Sequence, residues 1–229
     1  MSETSILDTL RALAELAVGD DDLTETAEGV VALACDTLDC QHAGLTVFRA
    51  GGSFETLAPT GPLVTEADHL QYDLAEGPCV EAAWEADTFV SNDLARDPRY
   101  PHWGPKAAAM GFGSLLAARL SIGGTTIGAL NLYSTETREY SPDDRDTAVI
   151  FASHAAATIM TVRERENLKE AVEGRTLIGQ AQGILMERFD LDGPRSFAVL
   201  RRFSQTENIK LRKVAEMVIE TGSLPGVDA

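Results

Sequence analysis

Apolar residues near the start of the chain recur at helical spacing. Ile6, Leu7, Leu10, Leu13, Ala14 and Ala17 predict an amphipathic helix over residues 6–18. Asp20 to Thr24 supplies a stop and a new cap, and a second helix is expected over residues 23–38, with Val30, Val31, Leu33, Ala34 and Leu38 facing inward. From Ala43 the pattern shortens. Residues 44–48 and 54–58 read as a strand pair turned at Gly51-Gly52. Residues 65–73 read as a short helix, 89–91 as a strand and 105–110 as another helix. Residues 114–120 and 126–133 then form a second hairpin around Ile122-Gly123-Gly124. Hairpin strands with helices before and after predict an α+β fold built on an antiparallel sheet.

Ser141-Pro142-Asp143-Asp144 is a helix start: a hydroxyl cap, proline in the first turn, and acids at the positive end of the helix dipole. With no further proline until Pro194, one long helix is expected from Pro142 to about Phe189, broken or bent near Gly174. Its first part is apolar through Ile150, Phe151, Ala152, Ala155, Ala156, Ile159 and Met160. Residues 163–173 are mostly charged and keep only Leu168 and Val172 as an apolar stripe, the pattern of a solvated connector or of a coiled coil with a second copy. In the tail, Asp192-Gly193-Pro194 starts a helix that uses Phe197, Ala198, Leu200 and Phe203. Asn208 is expected to cap another that uses Leu211, Val214, Ala215, Val218 and Ile219. With residues 177–186 these form a compact three-helix unit.

The 229 residues fit two unequal domains, and 44% hydrophobic with 24% charged content is ordinary for a globular protein. The N-terminus does not resemble a signal peptide and no run approaches the roughly 20 apolar residues of a membrane span, so a cytoplasmic protein is expected. Cys35, Cys40 and Cys79 are odd in number and lack metal-ligand spacing, which predicts reduced thiols and no metal site. Charge is distributed unevenly. Residues 1–160 hold 8 Lys and Arg against 25 Asp and Glu, a net of −17, whereas residues 161–229 hold 11 of each. Within residues 174–225 the balance is 8 basic to 6 acidic, or +2, a change of character that points to a separate binding module.

The string Arg175-Thr-Leu-Ile-Gly-Gln-Ala-Gln-Gly-Ile-Leu-Met-Glu-Arg188, with Ser196-Phe-Ala-Val-Leu-Arg-Arg-Phe-Ser-Gln205 and Asn208-Ile-Lys-Leu-Arg-Lys-Val-Ala215, resembles the ANTAR family of RNA-binding antitermination regulators. Ala181 and Gly183 are expected to let neighbouring helices approach closely, with Leu185, Leu200, Leu211 and Val214 filling the space between them. The groups left outside become the RNA-contact candidates: Arg175, Gln182, Arg188, Arg201, Arg202, Lys210, Arg212 and Lys213. Many family members carry lysine at the Gln182 position. The resemblance implies binding to paired RNA hairpins in mRNA leaders that blocks terminator formation. A homodimer is expected, since two hairpins suggest two tail modules and the connector has an apolar stripe to cover, and no membrane partner is expected.

Glu76-Gly-Pro-Cys-Val-Glu-Ala, Asn92-Asp-Leu-Ala-Arg-Asp-Pro-Arg-Tyr-Pro, Gly111-Phe-Gly-Ser-Leu and Ile127-Gly-Ala-Leu-Asn-Leu-Tyr resemble a GAF domain, of the kind fused to ANTAR in actinobacterial proteins. Such domains bind small molecules over the sheet or serve as dimerisation units. The expected organisation is a GAF-like sensor over 1–160, a coiled-coil-like connector over 161–174 and an ANTAR domain over 175–225. No cofactor is implied beyond an unidentified small molecule. Cys79, Asp93, Arg96 and Arg99 are its candidate contacts, although Asp93, Arg96, Asp97 and Arg99 could equally hold their own loop together by local ion pairs.

Competing function classes leave weaker traces. His42, His69, His102 and His154 are scattered, Ser114 lacks the second glycine of a nucleophile elbow, and the glycine pairs carry no phosphate-loop lysine, so no enzyme is expected. A haem or metal sensor through His154 or Cys79 is one alternative. A dimeric protein-interaction or small-molecule sensor module that never touches RNA is the other.

Overall fold

The computed structural model describes residues 3–19, 22–48, 53–82 and 87–224. Helix α1 (Glu3–Gly19) is followed by α2 (Leu23–Leu38), whose N-terminus is capped by the Asp22 carboxylate accepting from the backbone N–H of Thr24 at 2.7 Å and Glu25 at 3.1 Å. Next come β1 (His42–Phe48), β2 (Phe54–Leu57), α3 (Pro62–Leu74), α4 (Pro78–Ala82), β3 (Thr88–Ser91), α5 (Gly104–Ala109), β4 (Ser114–Ile122) and β5 (Thr125–Ser134). The expected turn at Gly51-Gly52 lies outside the described residues. The five strands form one antiparallel sheet in the order β2-β1-β5-β4-β3, so the longest strands are central and the edges are short.

Both faces of the sheet are covered, because alternate residues along each strand feed two different cores. Ala43, Leu45, Leu116, Ala118, Leu130 and Leu132 pack with Leu13 of α1, Val30 and Ala34 of α2, and Phe151 and Ala155 of the helix that follows β5. On the opposite face Leu115 and Tyr133 pack with Val64 and Ala67 of α3, Ala107 of α5, and Leu94, Tyr100 and Trp103 from the loop between β3 and α5. β1 and β5 approach each other at Gly128, where a Cβ would stand 1.9 Å from the Thr46 carbonyl oxygen.

Helix α6 (Pro142–Phe189) begins with a reciprocal cap. The Ser141 hydroxyl accepts from the Asp144 N–H at 3.2 Å and the Asp144 carboxylate accepts from the Ser141 N–H at 2.8 Å. It runs on through Gly174 as one helix, without the expected break. α7 (Gly193–Glu207) and α8 (Leu211–Thr221) follow it, and the chain divides into two compact units, Met1–Glu164 and Arg165–Ala229.

The second unit has its own core of Ala181, Leu185, Leu200, Val214, Ala215, Val218 and Leu224, flanked by Leu177, Val199 and Phe203. Three expectations change here. α7 turns Val199, Leu200 and Phe203 inward and leaves Phe197 and Ala198 exposed, because Ser196 and Leu200 define its buried face four residues apart. Asn208 closes α7 instead of opening α8. It adopts a left-handed conformation at φ 53°, which asparagine tolerates, and its N–H returns to the Ser204 carbonyl. Gly183 permits no close helix approach, since nothing lies within 4 Å of the place a Cβ would occupy; Ala181 takes that role at 0% exposure.

Candidate nucleic-acid interface

The helical unit is stitched by polar contacts that decide which candidate groups remain available. The Asp192 carboxylate accepts from the Arg195 N–H at 2.8 Å to start α7, and the Ser204 hydroxyl donates to the Ile209 carbonyl at 2.6 Å at the turn into α8. Gln182 is half-buried, and its amide nitrogen donates to the Gly193 carbonyl at 2.9 Å, so its donor serves the bundle itself. Arg188 likewise donates to the Gly222 carbonyl at 3.1 Å while staying exposed to solvent.

Two contacts set the direction of α8. Arg212, in its first turn, meets Glu173 of α6 at 3.3 Å, and Arg188 near the end of α6 meets Gly222 at the end of α8. α8 therefore runs beside α6 in the same sense. Lys210 and Lys213 flank Arg212, and Arg175 follows Glu173 by two residues, so cations from both helices gather at that end of the unit. Arg201 and Arg202 sit about 10 Å of helix before Asn208, on the half of α7 that leads to the same end.

The gathered charges are not equally free. Arg212 and Lys213 share Glu216, at 3.4 Å and 3.2 Å, and hydrogen bonding from Lys213 first, then Arg212, holds the Glu216 carboxyl below its ordinary range. Among the described residues Arg175, Arg201, Arg202 and Lys210 are all exposed and make no ion pair. Glu216 itself was not foreseen. Its signal was its place four residues after Arg212 and three after Lys213 on one helix.

In the first unit Asp93, Arg96 and Arg99 lie close together. With Thr88, Asn92, Asp97 and Arg145 they line an open groove of about 620 Å³ beside β3. They also pair locally: Arg99 contacts Asp97 at 2.5 Å and Arg96 contacts Asp93 at 3.7 Å. Burial works to raise the Asp97 carboxyl, but the bonds from Arg99 outweigh it and hold Asp97 below the usual range. The side chain of Cys79 lies outside the described residues. His154 is exposed and its ring bonds the Ile150 carbonyl of its own helix at 2.9 Å; among the described residues no group of three His, Cys, Asp or Glu is placed to hold a metal ion.

A polar cluster under α3 escaped the sequence reading. Asp68, fully buried, accepts from the Tyr133 hydroxyl at 2.6 Å, the Thr56 hydroxyl at 3.1 Å and the Asn131 amide at 3.2 Å, and Asn131 also donates to Thr46 at 3.1 Å. Burial pushes the Asp68 carboxyl up to about 6 despite these donors. Its signal was present in the strands, where Thr46, Thr56 and Asn131 stand on the α3 side of the sheet at positions that otherwise alternate as apolar.

The model of the GAF domain family matches residues 20–160, and that of the ANTAR domain matches residues 166–219. The chain is a GAF–ANTAR protein. No curated protein sequence matches it. The GAF unit is similar in structure to the GAF domain of a phosphoenolpyruvate-protein phosphotransferase from Coxiella burnetii, at 19% identity over 72% of this chain and 98% of that one, with a TM-score of 0.57. It is similar also to a domain of a putative two-component sensor histidine kinase protein from Sinorhizobium meliloti, at 18% identity over 63% and 95% of the two chains and a TM-score of 0.52. A free methionine-R-sulfoxide reductase from Neisseria meningitidis, solved with its substrate, matches at 15% identity over 72% and 95%, with a TM-score of 0.51. At these identities the likeness carries the GAF fold and none of those proteins' chemistry. No helix among the described residues of this GAF–ANTAR chain is long and apolar enough to cross a membrane.

Proposed function

We propose that this chain is an RNA-binding transcription antitermination regulator, in which the GAF unit receives a small-molecule signal and the ANTAR unit binds paired hairpins in an mRNA leader. In this reading it works as a cytoplasmic homodimer and is not an enzyme. The observation that carries the reading is the set of exposed, unpaired cations Arg175, Arg201, Arg202 and Lys210 on a small bundle matched by the ANTAR model. Guanidinium groups bind phosphate through paired hydrogen bonds and stack on splayed bases, which suits folded RNA with open loops. Leu168 at 68% and Val172 at 62% exposure lie four residues apart on α6, and their apolar surface supports pairing with a second copy.

The test is binding of the full chain to a labelled two-hairpin RNA and to its scrambled counterpart across a salt series. A clear preference for the hairpins is expected. The double substitution Arg201→Ala, Arg202→Ala should weaken binding and reduce the salt slope by about 2, one for each lost phosphate contact, with the helical circular dichroism unchanged. Equal binding to both RNAs transfers the case to a protein-interaction module. A sedimentation mass of one chain, with and without RNA, removes the homodimer.

A further inference from the structure

Cys35 and Cys40, which their sequence spacing does not pair, are brought together by the fold. Cys35 lies in the last turn of α2, and Asp39 ends that helix in a left-handed conformation at φ 51°. The chain therefore doubles back, and the Cys40 N–H bonds the Cys35 carbonyl at 3.2 Å. This backbone bond holds the two sulfurs 3.3 Å apart, both half-buried and both unbridged. A disulfide needs about 2.0 Å, which side-chain rotation together with a small shift of the chain at Asp39 supplies across two residues already joined through their backbones.

We propose that Cys35 and Cys40 are a reversible oxidation site, at which a peroxide converts the two thiols to an intrahelical-cap disulfide. The roles follow from the asymmetry of the pair. The Cys40 thiol donates its hydrogen bond to the Cys35 sulfur, which favours the Cys35 thiolate and holds it below the ordinary thiol range; the same bond, with burial, pushes the Cys40 thiol up. The Cys35 thiolate attacks one oxygen of hydrogen peroxide, breaking the O–O bond to give a sulfenic acid and, after protonation, water. The Cys40 sulfur then attacks the sulfenic sulfur, its proton leaves with the hydroxyl as a second water, and the S–S bond forms. Peroxide gains the two electrons that the thiols lose.

The pair sits where its state can be felt. Arg138 donates to the Asp39 carbonyl at 2.9 Å, adjoining Cys40, and reaches Asp144 in the first turn of α6 at 3.3 Å. Drawing the sulfurs together shifts the chain at Asp39 and loosens this clasp at the start of α6. None of this depends on what the helical unit binds.

The full chain treated with a small excess of hydrogen peroxide, alkylated without reductant and digested with trypsin provides the test. Both thiols fall on the peptide of residues 12–49, whereas Cys79 falls on residues 50–96. The first peptide should lose two hydrogens and both alkyl tags, the second should keep its tag, and dithiothreitol should restore the starting masses. Cys40→Ser should stop at a sulfenic acid on Cys35 that dimedone captures, while Cys35→Ser should leave Cys40 unmodified. Thiols that stay alkylatable, advance to sulfinic acid without bridging, or bridge to Cys79 or to another chain overturn the proposal. Amide exchange over residues 138–147 should quicken on oxidation, and unchanged exchange refutes the coupling to Arg138.

Discussion

Asp68 offers the sharpest test of the fold's energetics. Its carboxyl titrates near 3.8 when exposed and near 6 in the buried cluster, with desolvation as the largest cause. Between those values the folded protein keeps a proton that the unfolded chain has released, so stability falls as pH rises through this window and levels off above it. The difference amounts to about 3 kcal/mol at neutral pH. Asp68→Asn removes the ionisation while keeping an oxygen for Tyr133 and Asn131. It places an amide donor where the Thr56 hydroxyl can accept, at a cost of about 1 kcal/mol or less. The variant should match or trail the wild type at pH 4 and exceed it by about 2 kcal/mol at pH 7. Urea unfolding followed by tryptophan fluorescence isolates the effect, since Trp84 and Trp103, the chain's two tryptophans, belong to the first unit. Glu76, Asp97 and Asp144 are held below their ordinary ranges and give the opposite pH trend, but both proteins share them and they cancel in the difference. A wild-type minus variant difference that stays flat from pH 4 to pH 7 refutes the argument.

Two further outcomes are expected. Glu216→Gln frees Arg212 and Lys213 from their shared carboxylate, so hairpin RNA should bind more tightly and with a steeper salt dependence, measured by anisotropy; unchanged affinity would mean that neither cation meets phosphate. Gly128→Ala forces a methyl group into the Thr46 carbonyl and should cost about 3 kcal/mol or more in urea unfolding, whereas a loss below about 1 kcal/mol would show that β1 and β5 can part at that point.

The elements were legible wherever one periodicity ruled. α1, α2 and the β4–β5 hairpin follow from apolar spacing, and α6 from its cap and the long interval without proline. Legibility failed where a residue type has two uses. Phe197 to Leu200 is a continuous apolar run, so spacing alone could not fix which residues face inward, and the core settled it through Leu200. Asn208 suits either end of a helix, and only the left-handed backbone decides that it closes α7. α4 is five residues long, too short for a period to show. Among the site residues, exposed cations were found by charge alone, but which of them are engaged depends on Glu173, Glu216 and Gly222, brought in by folding. Asp68 reads as a surface acid on α3 until Tyr133, 65 residues away, closes over it.

The glycines of α6 have a bearing on how that helix breathes. Gly174, Gly179 and Gly183 all face open space, so none is repaid by tight packing. Each weakens a helix interior by about 1 kcal/mol relative to alanine. With three such positions inside ten residues the helix opens there more readily than it would with alanine, and its amides in that stretch should trade protons with water sooner than those around Phe151, which are locked against the sheet.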